Sequence, residues 1–526
     1  MDTLARLGHE YFQAHYAADP FLATVYGVGG FEAEVPDPSR AAAQAHRAKL
    51  AALAAELESA DRTDPISYAI LSRLLRDEQH AIDTAADEVA VSASTAGAFA
   101  QVISSVPQTT GTAQTYRARL TKLGGFFDGL LRRYLDAKDD GRFPTALGVR
   151  QAIAQVDGYL ATPIERDPFR RDGVADVIEE GVRPALRRYR TGLAEQLLPV
   201  GRDDEHVGLC HVPGGTEGYP GLVKAFTTTD LTPEEIHQIG LDLVADLRDE
   251  FAERGGRALG TSDVAEILHR LRDDPTLRFA TPGEIVDTVT DALRRAEAAL
   301  PDWFERYDIA PCVVREMDPT EAENAVLGYY VPPAGDGSRP GIHMINTYRP
   351  ELRPRFEYET LAFHESVPGH HLQIAVGQSR DDLPTFRRFA SFHAHAEGWG
   401  LYTERLCDEM GLYTSELSRL GMVSFDAWRA CRLVVDTGMH HFGWSRARAI
   451  AYMRENSALS EVNITNEVDR YIAWPAQALA YMIGRLRIQQ LRERARGAGL
   501  DVRAFHHEVL AHGSLPLDTL DGLIPA

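Results

Sequence analysis

The residues best suited to chemistry lie in Phe363-His364-Glu365-Ser366-Val367-Pro368-Gly369-His370-His371-Leu372-Gln373, where three imidazoles and a carboxylate fall within eight residues. A His-Glu-x-x-His helix binds zinc because residues four apart share a face, so two imidazoles reach one ion while the glutamate acts on its water. Here the position four after His364 is Pro368, and the next histidines stand six and seven residues on. Seven residues of regular helix span about 10.5 Å, too far for two ligands that each sit about 2.0–2.1 Å from one zinc. The motif therefore requires a distorted helix. Pro368-Gly369 supplies the means, since proline removes an amide donor and glycine widens the backbone range, which favours a kink or bulge. With two extra residues absorbed, His370 joins His364 as a ligand and His371 becomes a neighbour or a substrate contact. The choice between His370 and His371 depends on the backbone at Pro368-Gly369. The competing reading ends the helix at Pro368 and leaves the histidines in solvent.

A third ligand is expected from His393-Ala394-His395-Ala396-Glu397-Gly398-Trp399-Gly400-Leu401-Tyr402-Thr403-Glu404. At helical spacing His393, Glu397, Leu401 and Glu404 share a face. Glu397 beside Gly398 and Gly400 suits a carboxylate that must approach another helix closely. A His-His-Glu set with one position open for water is the pattern of catalytic zinc, and Glu365 is then placed to act as general base. The alternative treats Glu397 and Glu404 as an ordinary solvated face.

The string His-Glu-x-x-Pro-Gly-His-His, followed by Glu-Gly-Trp-x-Leu-Tyr-x-Glu, resembles the bacterial domain-of-unknown-function family 885, which is regarded as related to gluzincin-type zinc metallopeptidases. Further matching stretches are Leu231–His237, Arg432–His441 and Tyr471–Gly484, so the resemblance spans most of the C-terminal two thirds. It implies a helical zinc peptidase with a cleft between two lobes.

Composition narrows the partners. A formal charge of −22 argues against nucleic acid or an anionic membrane, both of which need a basic face. Only Lys49, Lys122, Lys138 and Lys224 are lysine, so 51 of the 55 basic residues are arginine, a bias read first as base composition. The N-terminal stretch from Met1 lacks a basic n-region and an apolar h-region, and no run approaches about 18 apolar residues, so a soluble, cytoplasmic protein is expected. Cys210, Cys312, Cys407 and Cys431 lack Cys-x-x-Cys spacing and read as buried free thiols.

These groups need a scaffold. From Met1 to about Leu198 the pattern is helical, with Ser39–Glu58 a clear example and Pro65 and Pro163 at expected helix starts. His211–Pro220 is a turn-rich connection. Thr232-Pro233-Glu234-Glu235 fits a capping box. Between 309 and 348, Cys312–Met317, Ala325–Val331 and Gly341–Tyr348 read as short strands, with Pro332, Pro333, Gly335, Gly337 and Pro340 marking the loop between the last two. An edge strand there would let a peptide substrate pair with the sheet.

The expected fold is mainly α, a large multi-helix protein with a small antiparallel β-sheet beside a zinc-site helix. An N-terminal helical region (1–200) precedes a catalytic region (201–526), and one continuous unit is the alternative. The expected function is zinc-dependent (Zn2+) hydrolysis of a peptide or amide bond in a short peptide or small amide metabolite. His364, His370 and Glu397 hold the metal and Glu365 moves the proton. Tyr471, Tyr481 or a histidine stabilises the oxyanion. His371, His343, His395, Tyr330 and Arg485 serve as substrate contacts or supporting groups, an arginine being able to hold a carboxylate by two parallel bonds. A metal enzyme that breaks a C–N bond without hydrolysis, or a catalytically dead helical binding module, are the other readings. Oligomeric state is left open.

Overall fold

Helices dominate the chain, and many of their starts follow from single residues. In the computed structural model, which describes residues 3–318, 322, 326–333 and 339–525, the expected Ser39–Glu58 helix runs Arg40–Leu57. Ser39 caps it by accepting the Ala42 amide. Pro65 opens Pro65–Thr84, where a missing amide hydrogen costs nothing, and Asp64 caps it. At Thr232 the capping box forms in full, with Glu235 N donating to Thr232 Oγ1 and Thr232 N to Glu235 Oε2, and Pro233–Leu259 follows. Pro163 behaves differently. It begins only the short 3-10 turn Ile164–Arg166, because Thr162 has already closed the preceding helix Ala146–Ala161. Met1, Asp2, Ala325, Gly335 and Gly337 lie outside the described residues. No described helix is long and apolar enough to cross a membrane.

Two compact units emerge. The first comprises Met1–Leu222, Gly438–Ile450 and Thr465–Ala476. Its core brings together Phe126 and Phe127 of Ala113–Asp139, Val149 and Val156 of Ala146–Ala161, and Leu186 and Tyr189 of Arg183–Gly192.

The second unit, Val223–Thr437, Ala451–Ile464 and Gln477–Ala526, carries the residues of the histidine motif. Three strands precede that motif: β1 Cys312–Glu316, β2 Gly328–Val331 and β3 Gly341–Ile345, in the order β1-β3-β2. The sheet is mixed, not wholly antiparallel as expected. β2 pairs antiparallel with β3, but β1 runs parallel to it, Val314 standing beside His343. β3 is the most buried strand and takes the central place with a partner on each edge.

Four helices then hold the motif: Tyr358–Glu365, His370–Gln378, His393–Glu409 and Ala480–Gly497. The last two meet backbone to backbone. A β-carbon on Gly398 would lie 2.4 Å from the Gly484 carbonyl carbon, and one on Gly484 would lie 1.9 Å from the Ala394 carbonyl oxygen. Only glycine permits that approach, one residue from Glu397.

Gly484→Ala is therefore expected to destabilise the protein by about 1–3 kcal/mol through overpacking. Gly256→Ala, in a helix where an added β-carbon meets nothing within 4 Å, should raise stability by about 0.5–1 kcal/mol. Thermal midpoints of the two variants check the contrast, and equal midpoints would contradict the tight crossing.

Candidate metal centre

The first ligand helix stops where its sequence runs out of helical options. Ser366 N still donates to the Ala362 carbonyl, but Pro368 has no amide hydrogen to continue the ladder. A β-carbon on Gly369 would stand 2.0 Å from the His364 carbonyl oxygen and 2.4 Å from that of Phe363, so the chain folds back here only because this residue is glycine. The chain is tied again when His371 N donates to the Ser366 carbonyl, and Trp399, fully buried, donates its indole N–H to the Pro368 carbonyl at 2.8 Å. The expected kink is thus a complete break between two helices. Its effect is to bring histidines six residues apart, His364 and His370, edge to face, with ring centres 4.6 Å apart and planes at 82°. The helix does end before Pro368, yet His364 and His371 are buried and His370 is only partly exposed, so the histidines are not left in solvent.

Glu397 arrives from the His393–Glu409 helix and closes the triangle. Its Oε2 lies 3.6 Å from His364 Nε2 and 3.5 Å from His370 Nε2, and one ligand atom from each residue lies within 4.8 Å of the others. Those spacings are long for hydrogen bonds. They are close to the edge of a zinc tetrahedron, about 3.3–3.4 Å for bonds of about 2.0–2.1 Å. Among the described residues no other such cluster of histidine, cysteine or carboxylate groups occurs.

One turn-pair further along the same helix, Glu404 accepts from His364 Nδ1 at 2.8 Å while fully buried. A carboxylate only accepts, so Nδ1 carries a proton and Nε2 is turned toward Glu397; such carboxylate–histidine pairs usually orient metal ligands. The seat for the ring is cut by Gly400, where a β-carbon would lie 2.6 Å from His364 Cε1.

Charge supports the same arrangement. Burial pushes His364 toward losing its proton, but Glu397 and Glu404 outweigh it and hold the group up at about 9. Burial alone would raise Glu397, and the two imidazoles instead keep it well below the ordinary carboxylate range. The site is built to hold positive charge against a carboxylate, and a divalent cation satisfies it in place of a proton. The donor set therefore fits zinc.

The other expected residues distribute as follows. Glu365, partly exposed, has its carboxyl raised by burial, with His364, His370 and Glu397 within electrostatic reach. His371 turns away from the triad: Nε2 meets the Ala310 carbonyl and Nδ1 the Tyr330 hydroxyl, both at 3.0 Å, so the phenol donates. Burial pushes this histidine down to about 4. Tyr330 stands opposite His343 across the β2–β3 pair, and His343 Nδ1 meets Ser366 Oγ at 3.1 Å, so this cross-strand pair braces both sides of the helix break. His343 is fully buried and pushed down to about 3, with no partner at Nε2. His395 accepts the Leu515 amide and is pushed down by burial to about 4. Arg485 donates to Asp426 at 2.6 Å. Tyr481 is partly exposed, with the Arg432 guanidinium carbon 4.3 Å from its ring centre. Tyr471 belongs to the first unit, where it is fully buried and donates to Glu467.

Comparison with known proteins adds the fold. A family model described as "Bacterial protein of unknown function (DUF885)" matches residues 20–524. A solved structure of a "putative lipoprotein" from Colwellia psychrerythraea is 26% identical, with TM-score 0.91 over 100% of this chain and 99% of that one. A second "putative lipoprotein", from Shewanella oneidensis, is 17% identical, with TM-score 0.77 over 99% of each chain, and shares the fold. None of the curated proteins matches.

For a zinc-loaded chain, Glu404→Gln is expected to weaken metal affinity about 10–100-fold while leaving the fold intact. Competition against a chromophoric chelator measures this, and unchanged affinity would remove the orienting role.

Proposed function

This chain belongs to the DUF885 family of bacterial proteins of unknown function, and from that starting point we propose that it is a zinc-dependent hydrolase of a peptide or amide bond in a short peptide or small amide metabolite. The observation that carries the reading is the cluster of His364, His370 and Glu397, with Glu397 near tetrahedral-edge spacing from both histidines and Glu404 holding His364 Nδ1. The resemblance of the motif to gluzincin-type metallopeptidases points the same way.

Zinc in such a set supplies Lewis acidity and lowers the pKa of water toward about 7. The chain's own residues do the rest. Glu365, next in sequence to a ligand and partly exposed, takes a proton from the attacking water and returns it to the leaving nitrogen. Tyr481 is the phenol assigned to the oxyanion, being partly exposed and in the same unit as the triangle. Tyr471 is assigned no catalytic role, because its hydroxyl is given to Glu467 within its own unit. Among the described residues β2 pairs only with β3, which leaves its outer edge for the backbone of an extended substrate.

A panel of dipeptides, N-acyl amino acids and amino-acid amides tests the reading on zinc-loaded protein. Glu365→Gln should keep the metal and lower kcat by about 10²–10⁴-fold. Retained turnover in that variant would exclude Glu365 as the base.

A further inference from the structure

Arg429 and Arg432 stand three residues apart on the Glu416–His440 helix and are 5% and 3% exposed. Rings hold their faces. The Arg429 guanidinium lies 4.2 Å from the ring centres of both Phe425 and Trp428, and that of Arg432 lies 4.4 Å from Trp428 and 4.3 Å from Tyr481. Stacking occupies the planes of these groups and leaves the edge of Arg429, where its N–H donors are.

The edge of Arg429 is short of acceptors. Its Nε is buried without a hydrogen-bond partner. One terminal nitrogen reaches the Phe425 carbonyl at the long distance of 3.5 Å, and the other stands 3.9 Å from Glu404 Oε1, which is already bound to His364. A buried guanidinium with unfilled donors, beside a second cation, is costly unless an anion completes it. Trp428 and Tyr481, the rings beside these groups, are partly exposed. The charge of Arg429 also acts on the buried Glu357 and on Glu365 and Glu397.

We propose that the edge of Arg429, with Arg432 beside it, is a carboxylate-binding site that receives the free α-carboxylate of the substrate. A guanidinium edge matches a carboxylate by two parallel hydrogen bonds. Arg429 stands 3.9 Å from the Glu404 carboxylate that binds His364, so an anion held on it places the amide of a C-terminal residue at the triangle, and the substrates are dipeptides or N-acyl amino acids with a free C-terminus. The proposal deepens the hydrolase reading and rests on it for the chemistry beside the anchor, though not for the binding itself.

Calorimetric titration of the full chain, both zinc-free and zinc-loaded, with N-benzoylglycine and its uncharged amide N-benzoylglycinamide tests the site. The acid is expected to bind at least tenfold tighter than the amide in both forms, and Arg429→Met should abolish that preference. N-Acetylaspartic acid α-amide, whose carboxylate is on the side chain alone, should bind like the uncharged amide; tighter binding would overturn the α-carboxylate assignment. Equal binding of acid and amide to the wild type, or a preference that survives in Arg429→Met, would overturn the site itself. If Arg429→Met does not fold, the wild-type comparison and Arg429→Lys, expected to lose most of the preference with its two-bond geometry, decide the matter. A chain that prefers the acid yet takes up no zinc would refute the hydrolase reading and leave this site standing. Zinc uptake without the preference would do the reverse.

Discussion

The site depends on a single interruption of the helical hydrogen-bond ladder. Between Glu365 and His370 the chain gives up regular structure, and proline and glycine make the loss local: one has no amide to leave unsatisfied, the other has no β-carbon to collide with the His364 and Phe363 carbonyls. The remaining polar groups find partners close by. Trp399 takes the Pro368 carbonyl, His371 N takes that of Ser366, and the His343 ring meets the Ser366 hydroxyl. Two helices and a strand thus fix the path of four residues, and that path sets the spacing of two imidazoles.

The second constraint is closeness of helices. Gly398, Gly400 and Gly484 remove the side chains that would hold the His393–Glu409 helix away from its neighbours. Glu397 and Glu404 can then address the two nitrogens of one imidazole from one helix, Glu397 near Nε2 and Glu404 on Nδ1. Both carboxylates are drawn from the same helical face, so a single helix placement determines the third corner of the triangle and the tautomer of the first.

Much of this was legible in the residues. The impossibility of two ligands six or seven apart on a straight helix, with Pro368-Gly369 between them, pointed to a distorted backbone, and Glu397 stood out by its flanking glycines. The size of the distortion was not legible, because a bulge and a full break use the same two residues and differ in tertiary partners such as Trp399. Glu404 shared a helical face with Glu397, seven residues on, but its role beside His364 was not legible, because its burial is set by neighbours far away in sequence. The sheet followed the same rule: a hairpin between β2 and β3 is local, whereas the parallel pairing of β1 is not. Arg429 and Arg432 were hidden by composition, in a chain where arginine is the usual cation.

The central claim, that the triangle is a zinc site, is tested most directly by the metal content of protein purified without chelator. Elemental mass spectrometry should find about one zinc per chain, and His364→Ala should lose it. A chain that contains no zinc, and takes none up when zinc is added back, would contradict the account.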